Sequence, residues 1–323
     1  MLRLSAAIVL ALLANAVALS AWGQSFPSRP IRMVVPQPAG GTMDSNARAL
    51  SEYLVPELGQ NIVIDNRGGA NGIIAGEMIA RAVPDGYTIL YTSNSFINNQ
   101  LMHRKPPFEI LRDFAPITGV GKLPGSLILL NSQVPAHSLK ELVELSKSAR
   151  EPVRFGSGGF GNNQHILGEL INARSGSKMM HVPYKGLAPM VTALLGNEVQ
   201  VAFVAPTVVI QHVKAGRLRA IATTAATRWP GMPEVPTVAE TIPGFVYEAS
   251  WHGMFAPSAT PKPIVDRLHA EVAKALQVPR MRGHLENGGF VPVGSTPQEF
   301  RRFLETELKN VREYMLLANV HPE

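Results

Sequence analysis

The stretch "IRMVVPQPAGGTMDSNAR" (residues 31–48) decides how the chain is read. Its first five residues predict a strand over 31–35, and the apolar spacing that resumes at Ala47 predicts an amphipathic helix over 47–58. Between them stand two prolines and two glycines. A glycine turn joining a strand to a helix start presents free backbone N–H groups to an anion. Which anion this one holds, and whether chemistry follows, depends on the rest of the chain.

The same rhythm continues outward. Residues 62–65 predict a short buried strand followed by the glycine turn "NRGGANG"; 73–82 predict a helix and 87–92 a strand after Pro84-Asp85-Gly86. In the second half, 127–130 predict a strand. Ser138 caps a helix running to Ser148, with Glu141 completing a capping box. Strands over 153–155, 199–203 and 218–223 alternate with helices over 166–174, 187–195 and 208–215, and two C-terminal helices cover 264–276 and 297–318. Alternation of this kind predicts an α/β fold with mainly parallel sheets.

Composition narrows the function. Residues 1–23 carry a single charge, Arg3, and nine uninterrupted apolar residues from Ala6 to Ala14. A membrane span needs about 20, so the segment reads as a signal peptide cleaved after Gly23, the other reading being a short membrane anchor. Export leaves 300 residues, enough for two compact lobes. The chain contains no cysteine, which excludes disulfides and a lipid anchor on an N-terminal cysteine. The net charge is +6, or +5 without Arg3, and is scattered, whereas nucleic-acid binders concentrate it on one face.

Catalytic signatures fail one by one. "GSGGFG" (156–161) matches the dinucleotide fingerprint, yet the acidic residue expected about 20 positions later is missing. No Walker loop occurs. Phe155 replaces the first glycine that a nucleophile elbow around Ser157 would need. The nine histidines never fall at H-x-x-x-H spacing, so no local metal motif exists. His165 and Glu169 share a helix face, which reads first as a capping or core-edge pair, and nothing brings Asp44 and Asp65 together as paired carboxylates. No nucleophile, base and orienter assemble, and no cofactor is implied.

What recurs instead is a set of small-residue loops at strand–helix junctions: "PAGGTMD", "TSNSFINN", "GSGGFGNNQH", "HVPYKG" and "FVAPT". Ligands of open α/β sheets sit outside the carboxyl ends of the strands. In this order, and together with "NRGGANG…PDGYT", "AGRLRAIATT" and "APSATPKPIVDRL", the loops resemble the solute receptors of tripartite tricarboxylate transporters, the Bug family of periplasmic binding proteins, over essentially the whole mature chain.

The resemblance implies a two-lobed, type II-like periplasmic binding protein with two mainly parallel sheets and a ligand cleft between the lobes. Residues 24–125 and 253–323 form one lobe and residues 126–252 the inserted one. It implies a small carboxylate as ligand, large and small transmembrane permease subunits as partners, a periplasmic location and a monomer, with no nucleic acid, metal or catalytic residue. A periplasmic sensor subunit for a two-component partner is the alternative, and an enzyme a distant third.

Carried over by position, Gln37, Gly40, Gly41, Thr42 and Asp44 belong to the first ligand loop, and Ser93 and Asn94 to the strand-end loop. Ser157, Gly158, Asn162 and His165 belong to the inserted lobe's loop, with Tyr184 from "HVPYKG" and Ala205 from "FVAPT". Amides from Gly40 to Met43 suit a carboxylate at the positive end of the helix dipole. Asp44 reads equally as a helix-capping group, and Arg48 and Lys185 as nearby cations or solvated charge. Two positions depart from the family: Gln37 stands where phenylalanine is usual, and Val204 where an aspartate often follows Phe203. Without that carboxylate a buried ammonium would go unneutralised, which favours a dicarboxylate, hydroxy-acid or aromatic carboxylate over an amino acid.

Overall fold

The computed structural model describes residues 26–322 except 70, 71, 246 and 249. The expected signal segment, and part of the "NRGGANG" turn, lie outside the described residues. The chain opens with β1 (Ile31–Val35), α1 (Thr42–Leu58), β2 (Ile62–Asn66), α2 (Ile73–Ala80), β3 (Thr88–Ser93), α3 (Ser95–Met102), α4 (Ile110–Asp113) and β4 (Phe114–Leu123). It continues through β5 (Leu127–Asn131), α5 (Leu139–Ser148), β6 (Arg154–Ser157), α6 (Asn163–Ser175), β7 (Met180–Pro183), α7 (Leu187–Leu195), β8 (Val201–Val204), α8 (Pro206–Lys214) and β9 (Leu218–Thr223). It returns with β10 (Ser250–Pro257), α9 (Lys262–Ala275), α10 (Pro279–Asn287), β11 (Val291–Pro292) and α11 (Pro297–Leu317).

These strands form two sheets, ordered β11-β4-β10-β3-β1-β2 and β7-β6-β8-β5-β9. Both are mixed. In the first, β1 runs parallel to β2 and β3, while β10 is antiparallel to both β3 and β4. In the second, β6 is parallel to β7 and β8, while β5 is antiparallel to β8 and β9. The parallel ladders belong to the β–α–β rhythm visible in the sequence; the antiparallel ones arise where the chain passes between sheets.

Strand periodicity explains how each sheet buries both faces. Met33 and Val35 join the cluster under α1, α9 and α10, whereas Val34 points into the opposite cluster with α2, α3 and α11. Ile128 and Leu130 likewise face away from Leu127 and Leu129. Such two-sided burial makes the strands read as continuous apolar runs. Helix ends follow local chemistry. A full capping box starts α11 between Thr296 and Glu299, and Gly59 ends α1 in the left-handed region at φ 65°. At α5 only half the expected box forms. Ser138 Oγ accepts from the Glu141 amide, but the Glu141 carboxylate reaches the amide of His137, one residue outside the box.

The two passages between sheets are zipped together. Ser126 N–H donates to Thr224 Oγ1 at 3.0 Å, Thr224 N–H to Ser126 O at 2.9 Å, and Thr224 Oγ1 to Tyr247 O at 2.9 Å. Two elements reach across as well. Ile166 of α6 joins the first-sheet cluster while Leu167, Leu170 and Ile171 face the second, and Tyr314 of α11 packs against both.

Close approach of α6 to β6 depends on Gly168, where an added Cβ would lie 2.2 Å from Phe155 Cε2. Gly168→Ala gains helix propensity but overpacks this contact, a defect that costs about 1–3 kcal/mol. Chemical denaturation should show a net loss of stability; a variant at least as stable as the wild type would show that Phe155 can move aside.

Candidate functional site at the strand ends

The β1–α1 turn is organised around a carboxylate of the chain itself. Asp44 is buried at 3 % exposure. Its Oδ2 accepts from Gly40 N–H at 2.9 Å and from Arg48 Nε at 3.0 Å, and its Oδ1 accepts from Asn66 Nδ2 at 3.0 Å. Asn66 Nδ2 also donates to Gln37 O at 3.0 Å, and Arg48 Nη2 to Asn66 Oδ1 at 3.2 Å. Burial is the largest single influence on the Asp44 carboxyl and pushes its pKa up. The bonds from Arg48, Gly40 and Asn66 together outweigh it and hold the carboxyl below the usual range. Gly40 sits at φ 85°, a conformation that suits glycine.

One anion at this turn is thus supplied from within, by Asp44. The Gly40 amide, expected to face a ligand, is committed to that carboxylate, and Arg48 is committed to Asp44 and Asn66. Gly41 caps α1 with no side-chain hydrogen bond, so the first-turn amides are left without an intrahelical acceptor. Gln37 Oε1 lies 3.2 Å from where a Cβ on Gly41 would stand, placing its amide at the helix start.

The second loop is knotted in the same manner. Ser157 is fully buried. Its Oγ donates to Gly159 O at 2.9 Å, accepts from Gly159 N–H at 3.2 Å, and lies 2.6 Å from His181 Nε2. The buried hydroxyl, shared between both backbone groups of Gly159 and the His181 ring, closes the loop on itself. Asn162 Oδ1 caps α6 through His165 N–H at 3.0 Å, and Gly161 N–H donates to His165 Nδ1 at 3.1 Å. His165 and His181 stack with centroids 3.9 Å apart, and Phe155 stacks on the far side of His181. Burial lowers the pKa of His165 to about 4 and that of His181 to about 3, the latter helped by the neighbouring ring.

Two members of this cluster escaped the sequence reading. His181 stood in plain sight at the head of "HVPYKG". Gln164 accepts from Gly158 N–H at 2.8 Å and donates to Phe203 O at 2.9 Å, tying the loop to the end of β8. Tyr184 follows the loop edge, its N–H donating to Ser157 O at 2.9 Å. At the end of β3, Ser93 Oγ meets Ser95 Oγ at 2.8 Å, and Asn94 Oδ1 accepts from Ser250 Oγ at 3.0 Å. The "TSNSFINN" segment, read as a loop, is largely helical: α3 begins at Ser95 and buries Phe96, Ile97, Asn98 and Asn99.

The β1–α1 turn and the Gly158–Asn162 loop both neighbour α3. An added Cβ on Gly72 would lie 3.1 Å from Pro36 Cβ and 3.6 Å from Asn99 Nδ2, while Asn98 Nδ2 donates to Gly161 O at 3.3 Å. On the other side, Ala205 at the start of α8 packs against the first-sheet cluster, and Thr207 Oγ1 donates to Gly288 O at 3.1 Å. The carboxyl ends of β1, β3, β6 and β8 therefore converge between the sheets. Among the described residues no group of histidines and carboxylates is arranged to hold a metal, and no helix is long and apolar enough to cross a membrane. A separate 250 Å³ surface cavity between α1 and α10 is lined by Ser45, Arg48, Ala49, Glu52, Tyr53, Arg280 and His284, and holds none of the expected ligand residues.

Comparison with known proteins gives this geometry a context. The profile of the tripartite tricarboxylate transporter family receptors matches residues 46–318. Protein BugT of Bordetella pertussis is 34 % identical over 312 residues, covering 96 % of this chain and 95 % of BugT. A protein encoded between tcbD and tcbE in Pseudomonas sp. strain P51 is 37 % identical over 305 residues, covering 91 % and 89 %. Among solved structures, an R. palustris protein with adipate superimposes with a TM-score of 0.85 at 31 % identity, covering 93 % of this chain and all of that one. The periplasmic binding protein BugD gives 0.82 at 32 % identity, covering 92 % and 100 %; MatC of Rhodopseudomonas palustris with bound malate gives 0.80 at 28 %, covering 90 % and 99 %. A two-sheet α/β fold and these matches along almost the whole length place the chain in the TctC family of periplasmic solute-binding receptors, a family of binding proteins and not of enzymes.

Proposed function

We propose that this receptor captures a small dicarboxylate or hydroxy-acid in the periplasm and hands it to a membrane transporter with large and small permease subunits. The observation that carries the reading is the contact of the Gly158–Asn162 loop with α3, whose Asn99 lies near the β1–α1 turn through Gly72 and Pro36; two relatives are solved with adipate and malate. We assign residues 24–125 and 253–323 to one lobe and 126–252 to the other, with the passages at 124–126 and 224–249 as the hinge. Residues 1–23 serve as the export signal, and one monomer takes one ligand. Gln37, Gly41 and Thr42 contact the ligand carboxylate at the helix start, while Asp44 and Ser157 hold their loops in shape. Val204, buried at the end of β8, offers no charge to an ammonium group.

A thermal-shift screen with malate, adipate and aspartate tests this. A ligand present at 100 times its dissociation constant adds roughly 2.7 kcal/mol of stability. Malate or adipate should stabilise the protein, and aspartate should do so less than malate. A screen in which aspartate wins would show that another acidic group serves an ammonium, and one in which no carboxylate acts would remove the ligand class.

A further inference from the structure

One contact between the two halves is built in an unusual way. Asn98 and Met102, one turn apart on α3, both address Gly161 in the loop that precedes α6. Asn98 is fully buried, and its Nδ2 donates to Gly161 O. Its Oδ1 is also buried and, among the described residues, has no hydrogen-bond partner. Gly161 holds φ 69°, and a Cβ there would lie 2.9 Å from Met102 Cγ, so the loop presses directly on α3. On its other side the Gly161 amide is fixed by His165. Gly161 is therefore gripped by its own lobe through N–H and by the opposite lobe through C=O.

A buried acceptor without a donor is costly, and native structures rarely keep one without a use. When the halves separate, water reaches Oδ1 and that cost disappears, along with the bond to Gly161. The bond and the Met102 packing hold the closed arrangement, and the unpaired Oδ1 keeps that hold weak. We propose that Asn98 is a latch, a positioning residue that keeps the Gly158–Asn162 loop on α3 in the closed state and sets how fast the ligand leaves. The proposal rests on the receptor reading above.

The test uses the full mature chain with malate and adipate as probes. The absence of native cysteines allows spin labels at Glu57→Cys and Glu144→Cys, both exposed and on different sheets' helices. Asn98→Ala should raise the dissociation rate about 5–20-fold with the association rate within about twofold, widen the label separation at saturating ligand, and leave the unliganded unfolding midpoint nearly unchanged. Met102→Ala should act in the same direction, and it stands in if the first variant does not fold. If the wild type binds and neither variant changes the dissociation rate, or if both lose as much stability without ligand as with it, the latch is wrong and the contact is ordinary packing. If the wild type binds neither acid, the dicarboxylate reading fails separately. The comparison is then repeated with the carboxylate that the thermal-shift screen selects, and unchanged dissociation rates in both variants overturn the latch.

Discussion

Asp44→Ala should destabilise the protein by about 2–4 kcal/mol and abolish high-affinity ligand binding. Hydrogen bonds to a charged group contribute roughly 1.5–3 kcal/mol each, and this carboxylate accepts three, from Gly40, Arg48 and Asn66. Arg48 is half-exposed and stays hydrated after the change, which limits the loss. Gly40 loses the partner that holds it in the left-handed region, so the turn carrying Gln37 and Gly41 becomes free to move. Asp44→Asn should fall between, because one side of its amide must present N–H to Arg48 or Asn66. Urea unfolding and calorimetry check both numbers. An Asp44→Ala variant that binds malate or adipate normally would mean that the ligand, not the carboxylate, organises the turn.

Acid should weaken the fold well before carboxylates at their ordinary pKa titrate. His252 lies between Tyr91 and Asn46, with His284 closing the network through Asn46 Oδ1 at 3.1 Å. Burial lowers the pKa of His252 to about 3. With His165 near 4 and His181 near 3, three rings stay neutral in the fold that would charge near 6.5 once unfolded. The stability they contribute is complete above pH 6.5 and is lost as pH falls toward 4 and 3. For the two most buried, His165 and His252, the loss approaches about 1.4 kcal/mol per pH unit each below pH 6, or roughly 3 kcal/mol in all between pH 6.5 and 5. Glu169 and Glu307, whose carboxyls burial pushes up, work in the opposite sense and reduce the slope. Stability measured across this window should fall with acid, and His165→Gln should flatten the curve by about one proton. A flat wild-type profile would show that the rings are protonated in the native state or that the opposing carboxylates cancel them.

Much of the fold was legible because local signals agreed with global ones. The apolar run of β1, the proline and capping residues of α11 and the glycine after α1 each mean one thing. The sequence pattern assigns no strand to β4 and, for β10, only a crossing strand near Met254, and the reason is physical. "FAPITGVGKL" and "SWHGMFAP" carry glycines that resemble turn signals, yet an added Cβ would lie 3.3 Å from Phe300 Cδ2 at Gly119 and 2.3 Å from Phe300 Cζ at Gly253. These glycines make room for an aromatic side chain from α11. The α3 helix hid behind asparagine and serine, which favour turns unless tertiary contacts bury them. Of the site, the loops could be seen in the sequence but their internal bonding could not. That Asp44 consumes the Gly40 amide, or that His165 lies on His181, depends on elements brought together only by the folded chain.

The place of β10 has a consequence for how this molecule is made. It pairs with β3 on one side and β4 on the other, so the first sheet stays split in two until residues 250–257 exist. The second sheet draws all its strands from residues 127–223 and is complete on the chain before then. Synthesis therefore delivers the later half of the molecule in a foldable form first. The earlier half waits, with the facing edges of β3 and β4 open, for a strand about 130 residues downstream of β4. Any interruption of translation in that interval leaves two unpaired strand edges, the feature most apt to recruit a neighbouring chain.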